Sequence, residues 1–177
     1  NDAFGYNAGA NITTGGSNTC LGTQTADSLT GGNYNVAIGV AALQAITNAS
    51  ENTSVGYRSL YNSTANGNVA VGKDSLYANT TGTSNVSVGA YALDANTTGS
   101  ENVAVGYLAL SSADTVHNNT AVGCEALEKC YGESNTAVGF RALEEATSAD
   151  KSTAVGAYAG DNLTTGDQNS LFGWDAG

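Results

Sequence analysis

The sequence is poor in several residue types that most globular proteins use freely. Its 177 residues include no proline, no methionine, one histidine, one tryptophan and only 5 lysines plus arginines. Charged residues make up 12% of the chain, about half of the usual share, and the formal net charge is −11. Nucleic acids and anionic membrane surfaces attract clusters of Lys and Arg. The composition therefore excludes nucleic acid as a partner.

Long apolar runs are also missing. No stretch approaches the roughly 18 consecutive apolar residues of a membrane-spanning helix, and no basic-then-apolar segment opens the chain. We therefore expect no membrane insertion. The three cysteines do not form the pattern of a disulfide framework, and we expect Cys20, Cys124 and Cys130 to be free thiols that fill small spaces.

One short repeat fills the sequence instead. A glycine that follows an apolar residue returns at intervals of 16 or 17 residues, and we use it as the anchor of the repeat. Such self-similarity is typical of solenoids, in which each coil contacts only its neighbours. We predict a single array over residues 1–177 with about ten to eleven coils, cut from a longer protein because the pattern begins and ends within a repeat. The anchors are Gly5, Gly22, Gly39, Gly56, Gly72, Gly89, Gly106, Gly123, Gly139, Gly156 and Gly173.

Each position of the repeat has its own residue type. The three residues before the anchor alternate β-branched, small and aliphatic side chains, as in Val36-Ala37-Ile38, and predict a short β-strand. Asn stands four residues before the anchor in ten of the eleven repeats, and we expect an Asn ladder between coils. The anchor itself predicts a positive φ or close approach of another segment. Ala or Ser and then Leu follow three and four residues later, as in Ala42-Leu43, and predict a second short strand that supplies the bulky core residue.

The pattern therefore predicts an all-β fold, a parallel β-solenoid or β-roll with two short strands per coil of about 17 residues. An argument for association follows from the same residues. Both faces of the first predicted strand carry apolar or small residues, which is more than one narrow coil can bury. We expect the column of small residues that includes Ala37, Ser54 and Ala70 to permit close approach between chains.

The repeat also resembles known fibre proteins. The segments NTAVGCEAL (119–127), NTAVGFRAL (135–143), NVAVGYLAL (102–110) and NTSVGYRSL (52–60) are similar to the head repeats of YadA-like trimeric autotransporter adhesins, and more similar to repeat arrays of phage tail-fibre proteins. The resemblance implies a left-handed solenoid and a side-by-side homotrimer that forms a fibre. The coil is longer than that of the adhesin heads, which favours the tail-fibre relatives.

Residue types that carry catalysis or bind metal ions are sparse. Trimeric left-handed β-helix acyltransferases are the enzyme alternative, but they repeat an aliphatic residue every six positions and use an interface histidine, whereas the single histidine, His117, lies in a variable link. A nucleophilic triad also needs a base. Cys124, Glu125, Glu128 and Cys130 lie close in sequence without a recognised metal-ligand spacing. We predict no enzyme activity, no catalytic residue, no cofactor and no metal site.

An aromatic column remains as a candidate for ligand binding. Tyr57, Tyr107, Phe140 and Trp174 each follow an anchor glycine, and exposed aromatic rings stack on sugar rings or fill space between chains. A carbohydrate-binding module is therefore the alternative function. The principal prediction is a structural, non-enzymatic segment of a phage tail fibre or surface adhesin, located on a virion or at a cell surface, that mediates attachment by rigid multivalent display. Its expected partners are its own copies and a host-surface glycan or protein receptor.

Overall fold

The computed structural model describes residues 1–177 and consists of eleven short strands joined by turns and links. Each strand has three residues and ends directly before an anchor glycine. The chain forms no helix that could cross a membrane. The strands are β1 (Asp2–Phe4), β2 (Thr19–Leu21), β3 (Val36–Ile38), β4 (Thr53–Val55), β5 (Val69–Val71), β6 (Val86–Val88), β7 (Val103–Val105), β8 (Thr120–Val122), β9 (Thr136–Val138), β10 (Thr153–Val155) and β11 (Ser170–Phe172).

The strands form one parallel sheet in chain order, from β1 to β11. Every residue pairs with the residue at the same repeat position in the next coil, as Val69 does with Val86 and Ala70 with Ser87. The predicted parallel β-solenoid is therefore confirmed. We number the coils 1 to 11 by their anchor glycines. At the usual spacing between strands, the eleven coils make a rod about 50 Å long.

The predicted second strand is wrong, because the residues after the anchor form a turn. Tyr91 and Leu93, two and four residues after Gly89, have φ values of 58° and 49°. Left-handed residues cannot continue a strand. Their N–H groups instead bond to opposite neighbours, Tyr91 to the Lys73 carbonyl at 3.0 Å and Leu93 to the Ala109 carbonyl at 3.1 Å. The correction applies to Ala42–Leu43, Ser59–Leu60, Ser75–Leu76, Ala92–Leu93, Ala109–Leu110, Ala126–Leu127 and Ala142–Leu143.

The leucines of these turns nevertheless supply the core, as predicted. Each is fully buried and belongs to a continuous cluster of 29 buried residues that runs along the rod. The middle residues of β2 to β10 are buried in the same interior, and Ala37, Ser54 and Ala70 are fully buried. The prediction that this small-residue column lets chains approach one another is therefore wrong. Its small size serves the narrow interior of the coil, where Ser54 Oγ donates to the Ser59 carbonyl at 2.8 Å.

The anchor glycine is required for both of the reasons that the sequence predicts. All eleven anchors have φ between 125° and 144°, a region that only glycine adopts without strain. A Cβ atom on any of the first ten would also lie 2.1–2.7 Å from the carbonyl oxygen of the next anchor. No side chain fits at this position while the coils stay in register.

The Asn ladder is confirmed and runs through the interior. The Asn85 backbone N–H and side-chain amide donate to Asn68 Oδ1 at 2.9 and 3.2 Å, and the amide also donates to the Gly99 carbonyl at 2.8 Å. Asn85 Oδ1 accepts from the Asn102 backbone at 3.0 Å. Ser152 replaces Asn once and still accepts from the Asn169 backbone at 3.2 Å. Each Asn therefore ties its own link to the coils on both sides.

Candidate binding surface

The outer face of the sheet, which we call the strand face, is formed by the first and third residues of every strand. In the central coils these are Val, Thr and Ile side chains that are half-buried, and Val138 and Val155 are each 37% exposed. Phe4 and Phe172 stand at the two ends of the column and are more exposed. The third residues are Val, Ile, Leu or Phe in every strand and form an apolar column along the rod, whereas seven of the eleven first residues are Thr, Ser or Asp.

A second surface, which we call the turn ridge, is formed by the first, second, fifth and sixth residues after each anchor. On coils 4 and 5 the ridge carries a compact polar and aromatic cluster. The Arg58 guanidinium lies 4.9 Å from the ring centres of both Tyr57 and Tyr77, and Arg58 Nε donates to Asp74 Oδ1 at 2.8 Å. Tyr61 and Tyr77 stack with their ring centres 5.4 Å apart. Each of the three tyrosine rings in this cluster therefore already has a cationic or aromatic partner within the chain.

The four aromatic candidates lie on separate coils, and no ring contact joins any two of them. The ring centres of Tyr107 and Tyr91 lie 6.2 Å apart in an edge-to-face arrangement. The ring centres of Phe140 and Tyr158 lie 5.2 Å apart in the same arrangement. Only Trp174, which is 75% exposed on the last coil, has no aromatic or cationic partner within the chain. Trp174 is therefore the one candidate of the four whose ring is not already engaged within the chain.

Coil 6 places a half-buried carboxylate beside this aromatic region. Burial raises the pKa of Asp94 to about 6, although its own and the Ala95 backbone N–H groups lower it by hydrogen bonding. Asp94 follows Tyr77 at the same position of the repeat, and Lys73 Nζ bonds to the Tyr91 hydroxyl at 2.5 Å. This carboxylate has no cationic partner, so its protonation changes the charge of the ridge.

On coils 8 and 9 the ridge gathers acidic side chains. Carboxylate oxygens of Glu125, Glu128 and Glu144 lie within 4.8 Å of one another. Arg141 Nε binds Glu125 at 2.5 Å and lies 3.5 Å from Glu144, so the guanidinium supplies a counter-charge. Burial raises the pKa of Glu144 despite this neighbour. Lys129 pairs with Glu145 at the edge of the cluster.

The sequence singled out part of this cluster but missed Glu144 and Arg141. The signal that finds them is the coil length, because Glu144 occupies the position of Glu128 one coil later.

The two cysteines of coil 8 differ in their surroundings, since burial and the neighbouring Glu125 and Glu128 carboxylates raise the pKa of the half-buried Cys124 thiol. Cys130 is buried in the interior, which raises the pKa of its thiol to about 11, and its Sγ lies 3.5 Å from the Gly132 carbonyl. All three cysteines are free, as predicted.

His117 has a structural partner within the links. Its Nδ1 accepts a hydrogen bond from the Ser100 backbone at 3.1 Å. Asn66 and Asp150 accept in the same way from the residue one coil earlier, at 2.8 Å each. The histidine thus occupies an acceptor position that other coils fill with Asn, Ser or Asp.

Concave sites are confined to the ends of the stack. One lies against β1 and β2, and the other lies between Leu163 and Leu171 near the last coil. Comparison of the chain with protein-family models, with curated proteins and with solved structures finds no match. The strand face and the turn ridge are therefore the surfaces along the rod that are open to a partner.

Proposed function

We propose that the chain is a structural, non-enzymatic segment of a fibre, either a phage tail fibre or a surface adhesin, on a virion or at a cell surface. Three copies lie side by side as a left-handed homotrimer and carry their turn ridges and links outward. Attachment then comes from rigid display of many identical surfaces, since contacts that are weak singly add through avidity. The partner is a host-surface glycan or protein receptor.

The strand face is the observation that carries this proposal. The third residues of the strands form a continuous apolar column over the length of the rod and remain partly exposed in a single chain. Extended apolar strips of this kind are typical of association surfaces. The parallel register places an apolar third residue at the same point of every coil, so identical chains can meet along their whole length.

The test measures the mass in solution by sedimentation equilibrium. We expect a trimer for the natural chain, and a shift to monomer for Val105→Lys, which places a charge in the middle of the strand face. Tyr107→Lys is the matched control, since it adds the same charge to the same coil on the ridge and should remain trimeric. A monomeric natural chain, or a trimeric Val105→Lys variant, would contradict the proposal.

Carbohydrate binding at the aromatic column is the second candidate, and the free ring of Trp174 is the observation that favours it. A glycan array tests it with the natural chain, Trp174→Ala and Tyr107→Ala. We expect any glycan signal to be lost in Trp174→Ala and kept in Tyr107→Ala, because the Tyr107 ring already contacts Tyr91. Loss in both variants would mean that the Tyr107 ring also contributes to the site, and retention in both would place the site elsewhere.

A further inference from the structure

One link contains a dipeptide with its own chemistry. The chain has twenty asparagines, and only Asn66 is followed by glycine. A glycine after Asn leaves the next backbone nitrogen unshielded, so that nitrogen can reach the side-chain carbonyl carbon. Both Asn66 and Gly67 are exposed. Gly67 has a φ of 71°, with no atom within 4 Å of the place where a Cβ would stand.

Both reacting groups of this dipeptide are hydrogen-bonded to Ser50 of the preceding coil. Asn66 Oδ1 accepts from the Ser50 N–H at 2.8 Å, and the Gly67 N–H donates to the Ser50 carbonyl at 3.2 Å. The bond to Oδ1 polarises the Cγ carbonyl and stabilises the negative charge that develops on Oδ1 during attack. The bond between the Gly67 N–H and Ser50 opens before the nitrogen attacks, and Gly67 lies in an exposed link where such opening is local.

We propose that Asn66 is a site of spontaneous deamidation in the folded protein. The Gly67 nitrogen bonds to Cγ of Asn66, the bond from Cγ to Nδ2 breaks, and ammonia leaves with the proton of the Gly67 amide. Water then opens the resulting succinimide at either carbonyl. The products are aspartate or isoaspartate at position 66, each with one new negative charge.

The fold accommodates the aspartate product. Asp150 and Asp167 occupy the same position of later links, and each accepts a backbone hydrogen bond from the preceding coil, at 2.8 and 3.0 Å. A carboxylate at position 66 can therefore keep the bond from Ser50. The ladder asparagines are protected, since they are buried and their amides are held by neighbouring coils. Modification would thus add charge to the link while the interior of the rod is preserved.

The test is peptide mass mapping of the full chain after incubation at mildly alkaline pH and physiological temperature. We expect the mass gain of an amide-to-acid conversion to accumulate at Asn66, with isoaspartate among the products. Asn48, Asn118 and Asn162 are internal controls, because they are exposed but are followed by residues with side chains. They should change at least tenfold more slowly. Equal rates at these controls would show that exposure alone decides, and would overturn the proposal.

A second outcome is as informative. If Asn66 stays intact in the folded chain while the denatured chain is modified there, the Gly67 bond to Ser50 protects the site and the proposal is wrong. Asn66→Asp tests the structural part separately. We expect it to keep the circular dichroism and melting temperature of the natural chain, and a clearly lower melting temperature would contradict the claim that the fold accommodates the product.

Discussion

Coils 4 and 5 and coils 8 and 9 occupy equivalent places in the array, 67 residues apart, yet their turn ridges differ in chemistry. Coils 4 and 8 are the two short coils: their ladder amides reach carbonyls 13 residues away, whereas most others reach 14. Arg58 and Asp74 form an ion pair across the first region. At the same two positions of the second region stand Glu125 and Arg141, which pair with the opposite polarity.

The neighbouring side chains differ as well. Tyr61 and Tyr77 stack in the first region, and Glu128 and Glu144 approach one another at the same positions in the second. The backbone bonds between coils are nevertheless the same, since Asp74 and Arg141 each donate to the preceding coil, at 2.9 and 3.0 Å. The anchor glycine, the Asn ladder and the buried leucine thus define the backbone of the coil, whereas the side chains of the turn ridge differ from coil to coil.

We expect the largest effect from substitutions of the anchor glycines, which test whether the two regions depend equally on the same backbone structure. Gly72→Ala and Gly139→Ala replace equivalent anchors, whose Cβ atoms would lie 2.5 and 2.3 Å from the carbonyl oxygen of the next anchor. Both combine a steric clash with backbone strain, and we expect each to lower the free energy of unfolding by about 3 kcal/mol or more. Thermal and urea unfolding would measure the loss.

Gly67→Ala is the control that separates the cost of backbone strain from the cost of the steric clash. It also requires a positive φ but has open space around the new Cβ, so we expect a loss of only about 1–2 kcal/mol. If Gly72→Ala and Gly139→Ala lowered the free energy of unfolding by clearly different amounts, the side chains of the turn ridge would contribute to the stability of the coils.

Much of the coil structure was predictable from the sequence, because the same residues recur at the same positions of the repeat. Gly72, Asn68 and Leu76 each belong to a column that the repeat makes visible, and their roles follow from size and hydrogen bonding. The positive φ of Leu76 was not predictable, since leucine and its neighbours favour regular structure and only the bonds between coils impose the turn. The contact of Glu144 with Glu125 likewise depends on how adjacent coils align, which a linear motif does not reveal.

We expect a smaller effect from Asp94, whose protonation makes the stability of the chain depend on pH. Burial holds the pKa of Asp94 at about 6, above the 3.8 of the free side chain, so the folded state binds this proton more tightly than the unfolded state. The contribution is fully present below about pH 4 and is lost as the pH rises through 6. Asp94→Asn should remove this pH-dependent loss of stability. Above pH 6 we expect the substitution to raise the free energy of unfolding by about 1 kcal/mol, after allowance for solvent screening.

Melting temperatures across pH 4–8 measure that change. Asp161→Asn, at the equivalent position four coils later, is the matched control for removing a carboxylate at that position of the coil. If Asp94→Asn and the natural chain show the same pH dependence between 4 and 6, burial of this carboxylate does not influence stability.

The smallest effect comes from exchanging the polarity of the ion pairs. Arg58→Glu with Asp74→Arg gives the first region the order of charges found in the second, and Glu125→Arg with Arg141→Glu does the reverse. Each single substitution places like charges side by side and should lower the melting temperature, whereas each double substitution restores an attractive pair. Each pair joins an exposed arginine to a less exposed carboxylate, since the side chain of Asp74 is 6% exposed and that of Glu125 is 18% exposed. We therefore expect each double variant to recover most of the melting temperature that its single variants lose. The cation–π contacts of Arg58 with Tyr57 and Tyr77 make recovery less complete in coils 4 and 5, because a glutamate at position 58 is repelled by the electron-rich ring faces. Equal recovery in both regions would mean that the tyrosines tolerate either charge and that only the ion pair distinguishes the two ridges.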